Sequence, residues 1–563
     1  MNMYRLFFRN SKRLFPNKYM EGGFMMQRKR SQAIFILAMC CVLISWEVCT
    51  AVAQQKTETK KPNIVVIMTD DVGWGDLGVY GGGANRGAPT PHLDRLAKEG
   101  MYFTNFYGQA SCTAGRAAFL LGRYPIRSGL SEVLTIGSPG GIHKDEITLA
   151  EYLGKAGYRS IQIGKWHLGD RPEYYPTAVG FDEMYHMLPY YANAYTWMDP
   201  KIYPDFPLND PAYMKWFKQY YNDGEWEGVK GQTPKKTKVV TTEDLATCDN
   251  RMAETAVKWI NAHAKDENPF FMYLCFMKLH NPTIPSADWK GKSPGGLPYL
   301  DSLMELDHNT GRVIQAIRDA GIAENTLVVW FPDNGAWVDV WPDAGYTPFR
   351  GAKGTNYEAG FRIPAIVWWP GHIPSGIRSD EIVANMDIFP TAAKLAGLPV
   401  PAHIWKDEAG KPIIFDGVEQ TDLFLGKGPS KRNSFIYFED LDFGGVRMGN
   451  YKTLYTKRDT WLGFKKDKNI PQLFNLQWDP QEQHDIFFSP QSGDRMWKVV
   501  NIGDEVLNKF LKETSEIPNR LPAGVGGYIT KDSVEMVVKK EMIEEAVKNM
   551  MKKQSEERRD KQP

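Results

Sequence analysis

A chain of 563 residues is too long for one small core and long enough for a large α/β domain with a smaller domain beside it. Its 68 Lys and Arg nearly balance 67 Asp and Glu, and the formal net charge of +1 excludes the electrostatic footprint of a nucleic-acid binder. With 42% hydrophobic residues it is not a disordered chain, and its 17 Trp and 26 Tyr suit cores or a site that stacks on rings and sugars.

The first element is a targeting segment, residues 1–53. Arg28-Lys29-Arg30 is a positive n-region, and 33–46 is an apolar run too short to span a bilayer comfortably. Ala51-Val52-Ala53 is a cleavage signal before Gln54, so no stable membrane span is expected after cleavage. The segment after Met25 suffices as a signal, which makes Met25 or Met26 an alternative start. The expected location is the periplasm or the exterior. Of six Cys, Cys40, Cys41 and Cys49 leave with the signal, while Cys112, Cys248 and Cys275 remain. An odd number in an oxidising compartment asks for a reason. Cys248 and Cys275 sit in apolar or helix-like runs and read as buried thiols; the setting of Cys112 differs.

Residues 54–425 read as the main domain. A buried strand at 63–68 ends in Thr69-Asp70-Asp71, and a helix follows at 91–99. Segment 111–121 starts polar and becomes helical. A helix at 147–156 precedes a short strand at 160–163, which ends in Gly164-Lys165-Trp166-His167. Between 189 and 241 the pattern weakens into a long aromatic insertion, read either as a cover over the active face or as a self-packed loop. Then come a helix at 245–264, a strand at 270–276 with His280 just beyond, a helix at 302–320 and a strand at 326–331 ending in Asp333-Asn334-Gly335. Residues 426–563 form a C-terminal subdomain and charged tail. Short strands are expected at 434–438, 445–448, 451–455 and 473–476, with helices at 504–515 and 534–553. The predicted fold class is α/β: a large, mostly parallel sheet sandwiched by helices, plus a smaller antiparallel sheet with a helix.

In open α/β sheets, ligands sit beyond the carboxyl ends of the strands. One strand ending in acids is ordinary turn chemistry. Several ending in Asp-Asp, Lys-x-His, His and Asp-Asn point to one convergent site. Asp70, Asp71, Asp333 and Asn334 are hard oxygen donors of the kind that hold Ca2+ or Mg2+ rather than zinc. Cys112 falls at a helix N-terminus, where free N–H groups favour an anion, and Arg116 follows one turn later. As a plain residue it reads as a thiolate nucleophile or half of a disulfide.

Cys112-Thr113-Ala114-Gly115-Arg116 resembles the signature of the sulfatases, in which a Cys is oxidised to formylglycine. The run Ala117-Ala118-Phe119-Leu120-Leu121-Gly122-Arg123, the Asp70-Asp71 pair, Gly164-Lys165-Trp166-His167, His280 with Pro282, Asp333-Asn334-Gly335 and Arg350-Gly351-Ala352-Lys353-Gly354 fit the family in order. The commonest signature has Pro and Ser where this chain has Ala114 and Gly115.

The resemblance implies an alkaline phosphatase-like fold, a calcium ion on Asp70, Asp71, Cys112, Asp333 and Asn334, with Mg2+ as the alternative, and a formylglycine-generating enzyme as partner. It implies hydrolysis of sulfate monoesters in which a hydrated formylglycine at 112 attacks sulfur. His280 or Lys353 protonates the leaving alcohol, His167 takes the proton that releases sulfate, and Arg116, Lys165 and Lys353 neutralise the sulfate oxygens. The expected substrate is an aryl sulfate or, favoured by export and the aromatic insertion, a sulfated carbohydrate. Phosphodiesterases and phosphonate monoester hydrolases share the superfamily, and a catalytically inactive glycan-binding homologue is the competing class.

Overall fold

The computed structural model describes residues 60–523, apart from 408–409, 462, 488 and 490–492. The expected signal segment, and the helix and tail expected beyond 533, lie outside the described residues. No helix among the described residues is long and apolar enough to cross a membrane.

Ten strands make the main sheet: β1 Asn63–Thr69, β2 Met101–Tyr107, β3 Arg159–Lys165, β4 Glu183–Leu188, β5 Gly224–Val229, β6 Lys235–Val239, β7 Phe270–Cys275, β8 Thr326–Pro332, β9 Arg362–Trp368 and β10 Ile377–Ala384. Their order is β10-β2-β9-β8-β1-β7-β3-β4-β5-β6. Pairing is parallel from β8 through β1, β7 and β3 to β4, and again between β10 and β2. The antiparallel pairings are those of β9 with both its neighbours and of β5 with β4 and β6. The sheet is thus mostly parallel, as expected.

The unbroken apolar run of β1 has a direct cause: the strand is covered on both faces. Ile64, Val66 and Met68 point into one core with Leu120, Leu153 and Phe389. Val65 and Ile67 point into the other, with Leu96, Met252 and Leu303. The longer helices supply these layers: α1 Pro91–Glu99, α2 Cys112–Leu121, α3 Leu149–Gly154, α4 Pro211–Tyr220, α5 Thr242–His263, α6 Pro298–Asp319 and α7 Ile388–Leu395. Cys248 on α5 and Cys275 on β7 are buried free thiols.

The aromatic insertion holds more regular structure than its sequence suggests. It carries α4 with an Asp210 N-cap, and its strands β5 and β6 prolong the sheet edge. Strands β9 and β10 also went unread from sequence. Pro364 interrupts the pattern of β9, and β10 is a polar edge strand with Arg378, Ser379, Asp380 and Glu381 in its first half.

After a two-stranded ribbon, β11 Ile404–Lys406 and β12 Pro412–Ile414, comes the smaller antiparallel sheet. Its strands are β13 Ser434–Glu439, β14 Asp442–Met448, β15 Tyr451–Lys457 and β16 Lys466–Asn475, accompanied by α8 Gly493–Glu516.

Candidate active site

The expected site residues converge at the carboxyl ends of β1, β3, β7 and β8, all of them buried. Asp70 and Asp71 follow β1, Lys165 closes β3 and His167 lies two residues on. His280 lies beyond β7, Asp333 and Asn334 follow β8, and Lys353 comes from the loop before β9. Asp71 (φ 55°) and His167 (φ 56°) both adopt left-handed backbone, a strained conformation that recurs at functional sites.

Helix α2 starts at Cys112, with Ser111 as N-cap, so residue 112 meets the positive end of the helix. A Cβ on Gly115 would stand 2.0 Å from the Asp333 carbonyl oxygen. Glycine at 115, where the family signature commonly has Ser, therefore lets α2 press against the end of β8. Asn385 holds this turn, donating to the Gly115 carbonyl at 2.9 Å.

Two rows of charge interleave. Arg116 donates to Asp333 Oδ2 at 2.7 Å and to the Lys165 carbonyl at 3.1 Å, and lies 3.4 Å from Asp70 Oδ2. Lys165 bonds the same Asp70 oxygen. Lys353 Nζ donates to Asp71 Oδ1 at 2.6 Å and lies 3.0 Å from Cys112 Sγ. The Cys112 sulfur is also 3.8 Å from Asp70 Oδ1.

Burial raises the Asp70 carboxyl, but the charges of Lys165, Lys353 and Arg116 outweigh it and hold the group well below the usual range. Asp71 is raised to about 6, by burial first and then by Asp70 and Asp333, against the pull of Lys353. Asp333 is raised by burial and Asp70. The Cys112 thiol is pushed up to about 12 by burial, despite Lys165 and Lys353.

The oxygen donors are incomplete without a cation. Asp71 Oδ2, Asp333 Oδ1 and Asn334 Oδ1 are buried with no hydrogen-bond partner. Asn334 donates through Nδ2 to Asp71 Oδ1 (2.7 Å) and to the Gly335 carbonyl (2.9 Å), which turns its oxygen away from both. Carboxylate oxygens of Asp70, Asp71 and Asp333 lie within 4.8 Å of one another. Orphaned hard oxygens this close fit a divalent cation such as Ca2+ or Mg2+.

Both histidines have a fixed proton. A backbone carbonyl only accepts, so His167, 2.9 Å from the Leu134 oxygen through Nε2, carries its proton there, and its Nδ1 is a buried lone pair without partner. His280 gives its Nδ1 proton to the Asn281 carbonyl at 2.7 Å, which leaves Nε2 as the lone pair. Burial and the nearby lysines push both rings far below their ordinary value, so both are neutral.

Three aromatic neighbours complete the picture. Tyr191 of the insertion stacks on His280 (5.7 Å, 18° between planes) and meets His167 edge-on at 5.4 Å. Trp337 and Trp461 flank Lys353. Neither tryptophan was legible as a site residue. Trp337 stands three residues after Asn334, a weak signal; Trp461 lies in the C-terminal subdomain and carries none.

Residues 62–398 match the family profile described as Sulfatase, and residues 352–502 match that of the N-sulphoglucosamine sulphohydrolase C-terminal region. The chain is 32% identical to the N-acetylgalactosamine-6-sulfatase of Mus musculus over 482 residues, covering 79% of this chain and 86% of that one. It is 33% identical to human arylsulfatase A over 458 residues, covering 77% and 85% respectively. Among solved structures, the PsFucS1 sulfatase from Pseudoalteromonas sp. superposes with a TM-score of 0.75 at 32% identity, over 84% of this chain and 94% of the other.

Proposed function

Since the chain belongs to the sulfatase family, whose members are sulfuric ester hydrolases, we propose that it cleaves sulfate monoesters through a formylglycine made from Cys112, with Ca2+ held by Asp70, Asp71, Asp333, Asn334 and residue 112. The observation that carries this reading is the seat of residue 112: a helix N-terminus, 3.0 Å from Lys353 Nζ and 3.8 Å from Asp70. A thiol pushed up to about 12 stays protonated at neutral pH, so Cys112 unmodified is a poor nucleophile. Oxidation by a maturation enzyme replaces it with an aldehyde, whose hydrate supplies a nucleophilic oxygen and a second hydroxyl. A divalent cation on the orphaned oxygens supplies Lewis-acid stabilisation of negative charge.

The chain's own groups do the rest. Arg116, Lys165 and Lys353 match the charge of three carboxylates, so a bound divalent cation leaves the pocket with a net positive charge that attracts a sulfate ester. Lys165 and Lys353 bind the sulfate oxygens, while Arg116, locked on Asp333 and Asp70, fixes the ligand carboxylates. Lys353 is the better acid for the departing alkoxide, because the single proton of His280 is committed to a carbonyl. The Nε2 of His280, an acceptor, takes the hydrogen bond of the departing alcohol once Lys353 has protonated it. His167, with its Nδ1 lone pair bare, accepts the proton whose removal lets the enzyme release sulfate.

Similarity to N-acetylgalactosamine-6-sulfatase supports a sulfated carbohydrate as the natural substrate, and the sequence of 1–53 supports export to the periplasm or exterior. The test is a mass spectrum of the tryptic peptide 99–116 from protein made in its native host. A carbonyl-reactive species at the formylglycine mass is expected. Fully active protein with unmodified Cys112 overturns the mechanism.

A further inference from the structure

A row of rings leads outward from the candidate nucleophile. Trp337 lies edge-to-face with His280 (5.4 Å) and 5.1 Å from the Lys353 ammonium. Trp461 meets Trp337 at 5.2 Å and the same ammonium at 5.2 Å. Tyr191 also stacks on His280, and Trp197 meets Tyr191 at 6.0 Å. Three separate parts of the chain contribute: the insertion, the loop after β8 and the hairpin between β15 and β16.

The hairpin is pinned in place. The Trp461 amide donates to Asp339 Oδ2 at 2.9 Å, and its carbonyl accepts from Arg458 at 3.0 Å. Gly354, directly after the lysine and at φ +73°, makes room, since a Cβ there would stand 2.0 Å from the indole. Yet Trp337 and Trp461 are only half-buried, and neither packs into a hydrophobic core among the described residues. Neither indole N–H has an acceptor among the described residues; the same holds for the buried Trp259, Trp330 and Trp368, whereas those of Trp74, Trp166, Trp226 and Trp369 each donate to one. Two large rings and two free donors, anchored yet doing nothing for the core, border Lys353 and, through Trp337, His280.

Resting on the carbohydrate reading above, we infer that Trp337 and Trp461, whose rings stand 72° apart, form two walls of the subsite that holds the sulfated sugar ring, and that Trp461 is the specificity-determining residue supplied by the C-terminal subdomain. The carbon bearing the sulfate is one bond from the leaving oxygen. That carbon is in the ring or, for a 6-sulfate, one bond outside it, so the ring lies beside whatever borders Lys353 and His280, and Trp337 borders both. A sugar offers an apolar C–H face to the indoles and hydroxyl acceptors to their N–H groups; an aryl ring meets the first demand and leaves both donors unpaired.

The test uses the full-length Cys112→Ala protein with Ca2+ present, which binds without turnover. Calorimetric titration with N-acetylgalactosamine 6-sulfate, a sulfated carrageenan oligosaccharide, 4-nitrophenyl sulfate and inorganic sulfate gives the affinities. Adding Trp461→Ala is expected to weaken sulfated-sugar binding by about tenfold, and Trp461→Phe, which keeps the ring and loses the donor, by about threefold. Inorganic sulfate should bind all three proteins alike. Unchanged sugar affinity in Trp461→Ala overturns the inference and leaves the carbohydrate reading standing. Equal loss of inorganic sulfate binding makes Trp461 a prop of the sulfate pocket and also overturns it. If Cys112→Ala binds 4-nitrophenyl sulfate but neither sugar, the carbohydrate reading itself falls.

Discussion

Two buried charge clusters sit a few residues apart in this molecule and are built on opposite plans. At the strand ends, three carboxylates and Asn334 face three cationic side chains, yet three oxygen atoms remain without partners. Around Glu358, five residues after Lys353, both carboxylate oxygens are used. Tyr107 donates to one at 2.7 Å, Tyr437 donates to the other at 2.6 Å, and Lys452 lies 3.3 Å away. Burial raises Glu358, but Lys452, Arg447 and Arg362 overcome it and hold the carboxyl at about 2, whereas Asp71 is raised to about 6. The closed cluster fastens β13, β14 and β15 of the small sheet to the start of β9 and the end of β2. The open one is balanced in charge, three cations against three carboxylates, but three of its oxygens have no donor, and those bare oxygens are what a cation would fit. Burial alone does not mark an active site; burial with unspent hydrogen-bonding capacity does.

The comparison breaks first on activity. Cys112→Ala should lower sulfate release at least about ten-thousandfold with an unchanged melting temperature, because the residue serves chemistry and not the fold. Stability should show the converse. Glu358→Ala strands Lys452, Arg447 and Arg362 and should cost about 3–5 kcal/mol in urea titrations. Asp71→Asn, which removes one of three mutually repelling carboxylates, should leave the cation-free protein as stable as before or more so.

Ca2+ sharpens the contrast further. At a hundredfold excess over its dissociation constant it should stabilise the wild type by about 2.7 kcal/mol, and a chelator should reverse the gain. Asp71→Asn should lose most of that response, and a variant with full response removes Asp71 from the ligand set.

The smallest effect is the pH dependence, in which Glu358 and Asp71 oppose each other in sign. Glu358 titrates lower in the fold than in the unfolded chain, so its contribution is fully present above about pH 4.5 and drains as pH falls toward 2. Asp71 titrates higher in the fold, so the cation-free protein should lose stability as pH rises from about 4 to 6. Thermal midpoints with and without Ca2+ across that range read both slopes; a cation-free slope of the other sign contradicts the open-cluster picture.

Much of this was legible in the chain. The apolar run of β1 ending in Asp70-Asp71, the polar-to-apolar switch at Cys112 and the Asp333-Asn334 pair sit where strands and helices change hands, and turn chemistry at those points is local. Two strands of the sheet were less legible, because the internal β9 contains Pro364 and the edge strand β10 is half polar. The aromatic insertion hid α4, β5 and β6, whose pairing partners lie outside the segment. Trp461 offered no signal, since its meaning depends on a hairpin crossing to Lys353.

The sequence by itself determined the α/β alternation, the donor types and the family, because periodicity, side-chain chemistry and motif order are properties of neighbours along the chain. Only the tertiary structure decided which oxygens stay unpaired, which nitrogen of each histidine keeps its proton, and that an indole from the small sheet flanks Lys353. The catalytic role of Lys353 is the proposal above; these features depend on distances between residues far apart in the chain, and on burial, which sets how much an unmet charge or hydrogen bond costs.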